Sequence, residues 1–421
     1  MSTTRPLFTA AELDEFSELL KDWPNSAFGN ETCEIGVSPF VSFYFPYSPD
    51  EHQETIRSMI STHKAFEALF DFPYVIATHP VSEKPYPYSS ISIPDTTKLA
   101  ENWKIDESFT FNFTDEPNHS YSPATAGYFW RSATWDSMNN NAYSSILFYY
   151  RWSWWLENRE AWRNLIFKTI DLLAPHQVYC GLAVANPLDF GARSEAATWE
   201  RSLAARFYGL DIEFPFGMRD ELMDGIRPPT WGFFLSDYWR EKLALDREAV
   251  QKALNHPHIS IKDLKTGQWI ELGERPSLYP VEGGIPELPT ILNKVVKPVR
   301  HKRLGLVGFG QWSGDPNERF SDIDAERWLG RFDEGSDWPV GSARFLSPCT
   351  PHYAPPLTAM PAGSQCPVDG WWTTPAKLKS RKFFAKGEIF PEVRTESAKG
   401  QIVWLWDDNQ RFEQPNGGSD A

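Results

Sequence analysis

The stretch from residue 205 to residue 239 constrains the fold most, because it combines a helix end, two short strands and the start of another helix. Gly209 stands where an ending helix favours a residue with positive φ. From 210 to 214, apolar residues alternate with Asp211 and Glu213, which is the period of a half-buried strand. We therefore expect a strand with one apolar face and one acidic face, the latter exposed to water at a sheet edge.

The chain before this stretch shows the order strand, helix, strand twice, at 38–80 and 143–186. We interpret the two segments as a structural repeat without sequence identity, and such units place helices on a sheet. Capping boxes at Thr9–Glu12 and Ser48–Glu51 predict the starts of two helices. The predicted strands of the repeat are 41–45 and 73–79 in the first copy and 146–154 and 178–184 in the second.

Further strands are predicted between and after the two copies. The segments 109–113 and 127–135 are aromatic-rich, and 109–113 alternates cleanly. A hairpin is predicted at 259–264 and 268–272 around the glycine of Lys265–Gly267. The fold class that follows is α+β, a mixed or antiparallel sheet with helices packed on it.

The C-terminal part of the chain differs in composition. Six of the twenty residues from 348 to 367 are proline, which is typical of an extended linker. We therefore predict an α+β domain at 1–310, a Pro/Gly-rich linker at 311–360 and a small β-rich module at 361–421, with aromatic residues as its core.

Charge excludes several classes of partner. The net charge is −15, and residues 1–136 hold 20 acidic and 8 basic side chains. Such a chain is repelled by nucleic acid and by anionic membranes, so a basic protein suits it better. We expect no secretory signal, because an amphipathic acidic helix rather than an apolar segment is predicted after the first residues, and we expect no membrane span, because no apolar run reaches the ~20 residues that a span needs. The four cysteines are far apart, as in a reduced, cytoplasmic protein.

The sequence contains few patterns that are typical of a catalytic or metal-binding site. His256 and His258 have no third ligand nearby, and the acidic group from Asp322 to Asp337 does not match a calcium loop. No G-x-S-x-G motif is present. Asp211 and Glu213 could act as a carboxylate pair only if their face lay in a cleft. We therefore predict no catalytic residue, no cofactor and no metal.

The central stretch resembles a known family. The segments Arg206–Ile212, Trp231–Leu235 and Gly273–Pro276 are similar to the type VI secretion immunity family that protects bacteria from VRR-type nuclease toxins, over residues 30–310. The tail, over residues 345–410, resembles a module at the C-terminus of other type VI-associated immunity chains. The resemblance implies a non-enzyme that binds a cognate toxin effector, a nuclease, and blocks it.

The charge of the chain supports the same partner, because a nuclease presents a basic, phosphate-receiving cleft. Acidic residues would steer the toxin, while aromatic side chains would anchor it. The predicted partner-binding residues are Glu101, Trp103, Asp106, Glu107, Asp115, Glu116, Tyr128 and Trp130. The alternatives are an adaptor or structural component of the secretion system and a hydrolase that uses Asp211 and Glu213.

Overall fold

The structure is a computed structural model. It describes residues 23–24, 34–69, 74–78, 84–88, 101–133, 142–189, 196–197, 200–201, 203–205, 207–279, 281, 284–305, 320, 322–338, 359–374, 380–393 and 402–406. The capping box at Thr9–Glu12 lies outside these residues.

One large sheet forms the centre of the described residues. Its strands run in the order β12-β13-β11-β9-β3-β8-β7-β6-β4-β5, and β10 also pairs with β9. The strands are β3 Val37–Phe45, β4 Ile76–Thr78, β5 Pro85–Pro87, β6 Phe109–Thr114, β7 Ala126–Arg131, β8 Ser144–Tyr149, β9 Gln177–Val184, β10 Leu210–Asp211, β11 Gly232–Ser236, β12 Ile259–Leu264 and β13 Gly267–Leu272, with the pair β1 Trp23–Pro24 and β2 Glu34–Ile35 apart from the sheet.

Neighbouring strands along this order are antiparallel. The parallel pair is β9 with β10, where Leu210 lies opposite Leu182. Strand β11 pairs with the first half of β9 and β10 with the second half, so both use the same edge of β9. The sheet is therefore mixed, which confirms the α+β prediction.

Helices cover the sheet. They are α1 His52–Glu67, α2 Trp152–Glu157, α3 Arg159–Leu173, α4 Pro215–Met218, α5 Asp237–Lys242, α6 Arg247–Ala253, α7 Glu287–Val296 and α8 Asp322–Leu329. Phe66 of α1 stacks on Phe148 of β8 with ring centroids 3.8 Å apart, and Trp162 of α3 contacts Tyr150 at 6.0 Å. The two longest helices thus lie on one face. The opposite face carries Tyr44 and Tyr179, whose rings meet at 6.1 Å.

Two local predictions are wrong. The strand predicted at 146–154 ends at Tyr149, and α2 begins at Trp152. Aromatic residues continue through this boundary, so composition alone could not mark it. The side chain of Ser48 does not cap a helix; a 3₁₀ turn at Pro49–Glu51 precedes α1 instead.

Gly209 is needed for a different reason from the one predicted. It does not take the positive φ expected at a helix end. A Cβ atom at this position would lie 2.0 Å from the carbonyl oxygen of Ser277, and the Gly209 N–H donates to the carbonyl of Leu278 over 2.7 Å. The glycine therefore permits two backbone segments to approach each other closely.

Residues 322–338, assigned to the linker by the sequence, include helix α8 and pack against the large domain. Trp328 is buried in the main core, the Trp338 Nε1 donates to the carbonyl of Ala204 over 3.2 Å, and Arg331 Nε donates to the carbonyl of Tyr208 over 3.1 Å. This segment thus covers the chain just before β10. The predicted division into domains stays a prediction.

The C-terminal module is a four-stranded sheet in the order β14-β17-β15-β16. Its strands are β14 Ala359–Pro361, β15 Gly370–Thr373, β16 Lys382–Phe384 and β17 Val403–Trp406. Five aromatic residues form its own core, together with Cys366, as the sequence predicts: Trp372, Phe384, Phe390, Trp404 and Trp406. Trp371 is half-buried and pairs with the exposed Phe383 in the β15–β16 register.

A buried histidine should make folding sensitive to mild acid. His63 of α1 is 2% exposed and contacts the rings of Phe111 and Phe113 at 5.0 and 4.3 Å. Burial, with a smaller effect of Lys64, lowers the pKa of His63 from 6.5 to about 3. The ring is therefore neutral in the folded protein, whereas in the unfolded chain it gains a proton below about pH 6.5.

The free energy of unfolding should consequently fall as the pH drops from about 6.5 towards 3. Between about pH 7 and pH 5 the contribution of His63 amounts to about 2 kcal/mol. We expect urea denaturation of a His63→Gln variant to show a pH dependence weaker by this amount than that of the parent protein. Equal pH dependence in the two proteins would contradict the assignment.

Candidate partner-binding surface

The acidic segment, defined as residues 101–107, is held to the large sheet through its main chain. The buried Arg131 guanidinium donates to the carbonyl oxygens of Lys104, over 3.1 Å, and of Glu107. The Tyr47 hydroxyl donates to the carbonyl of Ile105 over 3.2 Å, and Gln53 Nε2 donates to that of Glu101 over 3.1 Å. Strand β7, helix α1 and the loop between β3 and α1 therefore fix the path of this segment.

Because the main chain makes these contacts, the carboxylates of the acidic segment lie in water. Glu101, Asp106 and Glu107 are exposed. The Glu107 carboxylate pairs with Lys104 Nζ at 2.8 Å, an exposed contact that contributes little to stability. Ile105 adds an apolar side chain that is 37% exposed. The structure thus brings together three of the acidic residues that the sequence singles out.

Asp115 and Glu116 have a different environment. The Asp115 side chain is 7% exposed and pairs with Arg151 at 2.9 Å. Its Oδ1 also accepts from the backbone N–H groups of Ala124 and Thr125 at 3.2 and 3.0 Å. Glu116 accepts from the N–H of Asn118 at 3.0 Å. These two carboxylates therefore organise the turn between β6 and β7.

The three aromatic residues also differ from one another. Trp103 packs edge-on against Phe109 at 5.1 Å and donates to the carbonyl of Glu107 over 3.2 Å, so it supports the acidic segment. Tyr128 donates to the carbonyl of Asn186 over 2.5 Å. Trp130 is half-buried and lies under the guanidinium of Arg219, whose Cζ is 3.2 Å from the ring centroid.

Two side chains beside Trp130 were missed from the sequence. Arg219 stacks between Trp130 and Phe216, with its Cζ 4.5 Å from the Phe216 centroid. Phe216 is 53% exposed. These residues are almost ninety positions from Trp130 in sequence, so no local pattern joins them.

The expectation for Asp211 and Glu213 is wrong, because both are buried rather than exposed at a sheet edge. They are 2% and 0% exposed, and Arg227, 0% exposed, pairs with both carboxylates. Glu213 also accepts from the hydroxyls of Ser42 at 3.0 Å and Tyr44 at 2.6 Å. The pair belongs to an internal ionic cluster, not to a cleft.

Charges balance within this ionic cluster, which we define as Asp211, Glu213, Arg227 and Arg331. Arg331 lies 3.8 Å from Asp211, so two guanidinium groups face two carboxylates. Burial disfavours the charge of Arg227, but Asp211 and Glu213 outweigh this and raise its pKa. Burial raises the pKa of Glu213, against the effect of Arg227. Burial also lowers the pKa of Arg331 to about 9.

Other candidate sites give no cluster of ligands. Among the described residues, no group of three or more His, Cys, Asp or Glu side chains could hold a metal ion. The backbone N–H of His258 donates to His256 Nδ1 over 3.2 Å, which is a contact within the loop.

None of the helices that the structure describes combines the length and apolar character needed to cross a membrane.

Comparisons with known proteins agree with the resemblance found in the sequence. The family model described as type VI immunity for VRR-NUC matches residues 59–332, which is more than half of the chain. Among solved structures, the Pseudomonas aeruginosa T6SS protein PA0821 has a similar fold, with a TM-score of 0.63 and 19% identity over 72% of this chain and 84% of that chain. Comparison with curated proteins gives no match. The chain belongs to the family of type VI immunity proteins for VRR-NUC.

Proposed function

We propose that this protein binds a cognate VRR nuclease toxin in the cytoplasm and blocks it by covering the basic, DNA-binding cleft with the acidic segment. The observation that supports this proposal is the way the segment is presented. Arg131, Tyr47 and Gln53 hold its main chain, while Glu101, Asp106 and Glu107 face water. The protein then acts by binding and needs no chemistry of its own.

The physical advantage of this arrangement is speed. A nuclease cleft must attract phosphates, so it also attracts carboxylates. Complementary charge raises association to about 10⁸–10⁹ M⁻¹s⁻¹ at low salt, against about 10⁵–10⁶ for neutral pairs. A segment that is already fixed loses little conformational freedom on binding, which leaves more of the interaction energy for affinity.

Charge reversal in the acidic segment tests the proposal. In a Glu101→Lys, Asp106→Lys double variant, we expect the association rate with an inactivated toxin to fall about 10-fold at low salt, with a smaller difference at high salt. Stopped-flow or surface-based kinetics measure both rates. Asp115 is a poor choice for this experiment, because its carboxylate holds the turn at Ala124 and Thr125.

The matched control is Glu241→Lys. Glu241 is exposed on α5, which packs near β11 and β13, several strands away from β7. Its reversal should change the association rate far less. The proposal is wrong if the double variant and the control associate equally fast, or if cells that produce the parent protein die as fast as unprotected cells when the toxin is induced.

A further inference from the structure

The last strand of the C-terminal module, β17, is buried on both of its faces. All four of its residues, from Val403 to Trp406, are buried. Trp404 and Trp406 belong to the module's own core, whereas Val403 and Leu405 belong to the main hydrophobic core of the chain. Because side chains alternate along a strand, the two pairs lie on opposite faces. An antiparallel sheet that stood alone in water would leave one of these faces solvated.

Strand β14 shows the same division between two cores. Ala359 lies opposite Leu405 in the antiparallel register, so the two side chains share a face of the small sheet. Ala359 is 0% exposed and also belongs to the main core. We call Ala359, Val403 and Leu405 the docking face of the module. The large domain covers this face, because its three side chains cluster with the buried residues of that domain and not with those of the module.

The same face of the small sheet is open towards its other edge. Thr373 of β15 lies opposite Leu405, so Trp371, two residues earlier, is on the same face. Phe383 of β16 lies opposite Trp371. Trp371 is half-buried and Phe383 is 43% exposed. Burial of this face therefore decreases along the order β14-β17-β15-β16, and the large domain covers the half that β14 and β17 form.

The module's own core is small. It contains six buried residues: Cys366, Trp372, Phe384, Phe390, Trp404 and Trp406. Below about 70–80 residues a single core rarely provides enough stability, and natural modules of this size add disulfides, a metal or association with another surface. The Cys366 thiol is free, and no group of His, Cys, Asp or Glu in the described part of the chain could hold a metal. Association with the large domain is the route that the docking face provides.

We infer that the C-terminal module is a cover of the large domain, which binds the docking face and shares its core with the module in solution. The partner of this face is therefore the chain's own large domain. Each part supplies apolar surface that the other needs, because the module gains the stability that its small core lacks and the large domain keeps part of its core out of water. This inference does not depend on toxin binding.

Thiol labelling of the full chain tests whether the docking face is covered in solution. We expect the introduced thiol of a Val403→Cys variant to react with a maleimide at least about 100-fold more slowly than that of a Phe383→Cys variant, because a reagent reaches it only when the module leaves the large domain. Phe383 is the matched control, since it lies on the same face of the same small sheet but is exposed. Peptide mass spectrometry distinguishes each introduced thiol from the natural cysteines.

Ala359→Cys gives a second measurement on a different strand, with a small change in side-chain volume, and it decides the result if Val403→Cys does not fold. Its thiol should be protected to a similar degree. The inference is overturned if the docking-face variants react as fast as Phe383→Cys. Protection that disappears when the protein is diluted also overturns it, because a second copy of the chain would then cover the face.

Discussion

Replacing Arg227 with methionine is expected to reduce the free energy of unfolding by about 3–5 kcal/mol, because it leaves two buried carboxylates without their main cation. Arg227 pairs with Asp211 and Glu213, and its Cζ lies 4.5 Å from the Tyr179 centroid. Arg331 stays 3.8 Å from Asp211 and cannot replace both contacts. Methionine fills much of the volume, so the loss reports charge rather than a cavity.

Urea denaturation near neutral pH measures this loss, and a second measurement at lower pH identifies its cause. Two unpaired buried carboxylates have raised pKa values, so one of them binds a proton in the folded variant as the pH falls. The difference in the free energy of unfolding between the variant and the parent protein should therefore shrink in acid.

Arg327→Met is the matched control, since Arg327 pairs with Asp337 at 3.0 Å on the surface and the loss of this pair should cost about 0.5 kcal/mol or less. A deficit for Arg227→Met as small as that of the control would contradict the role of the ionic cluster.

Replacing Trp162 with alanine is also expected to cost about 3–5 kcal/mol, in this case through a cavity. Trp162 is 1% exposed. Its ring lies between α3 and the sheet, with centroids 6.1 Å from Trp155, 5.9 Å from Trp231 and 6.2 Å from Trp269. These large, rigid neighbours cannot collapse into the space that the indole leaves.

Far-UV circular dichroism during urea denaturation measures the effect without relying on tryptophan fluorescence. Leu172→Ala, on the same helix but exposed, should change the free energy of unfolding by about 0.5 kcal/mol or less. If Trp162→Ala unfolds at the same urea concentration as Leu172→Ala, the tryptophan cluster does not contribute to stability as described.

The sequence predicts the elements whose signals are local. Residues 109–113 alternate strictly, and the strand at Phe109–Thr114 is present. The hairpin around Lys265–Gly267 is confirmed as β12 and β13 because a turn signal lies between two runs with strand character. The family resemblance is confirmed as well, since it rests on segments at and after the central stretch that the family model also covers.

The environment of Asp211 and Glu213 could not be predicted in the same way. Their alternation with apolar residues is typical of an amphipathic strand, but their partner Arg227 lies beyond α4 and a 3₁₀ turn. Only the folded chain brings the charges together. The strand itself, Leu210–Asp211, is shorter than the pattern suggests. In its parallel register Ile212 would already lie opposite Val184, the last residue of β9, so β9 offers no further partner along this direction.

The candidate surface shows a similar limit. Charge counting identifies the acidic segment because its carboxylates are close in sequence, and Glu101, Asp106 and Glu107 are exposed. It cannot distinguish Asp115, whose carboxylate is used inside the protein. It also misses Phe216 and Arg219, because their relation to Trp130 exists only across the end of the sheet. Whether the acidic segment binds the toxin stays a prediction for the kinetic experiments.

Holding residues 101–107 by their carbonyl oxygens has an evolutionary consequence. Every residue type has the same carbonyl, so the path of this segment is compatible with many side chains at 101, 105 and 106. Under the proposed function, these side chains could change one at a time to match an altered toxin, while the contacts that Arg131 makes to the main chain stay the same.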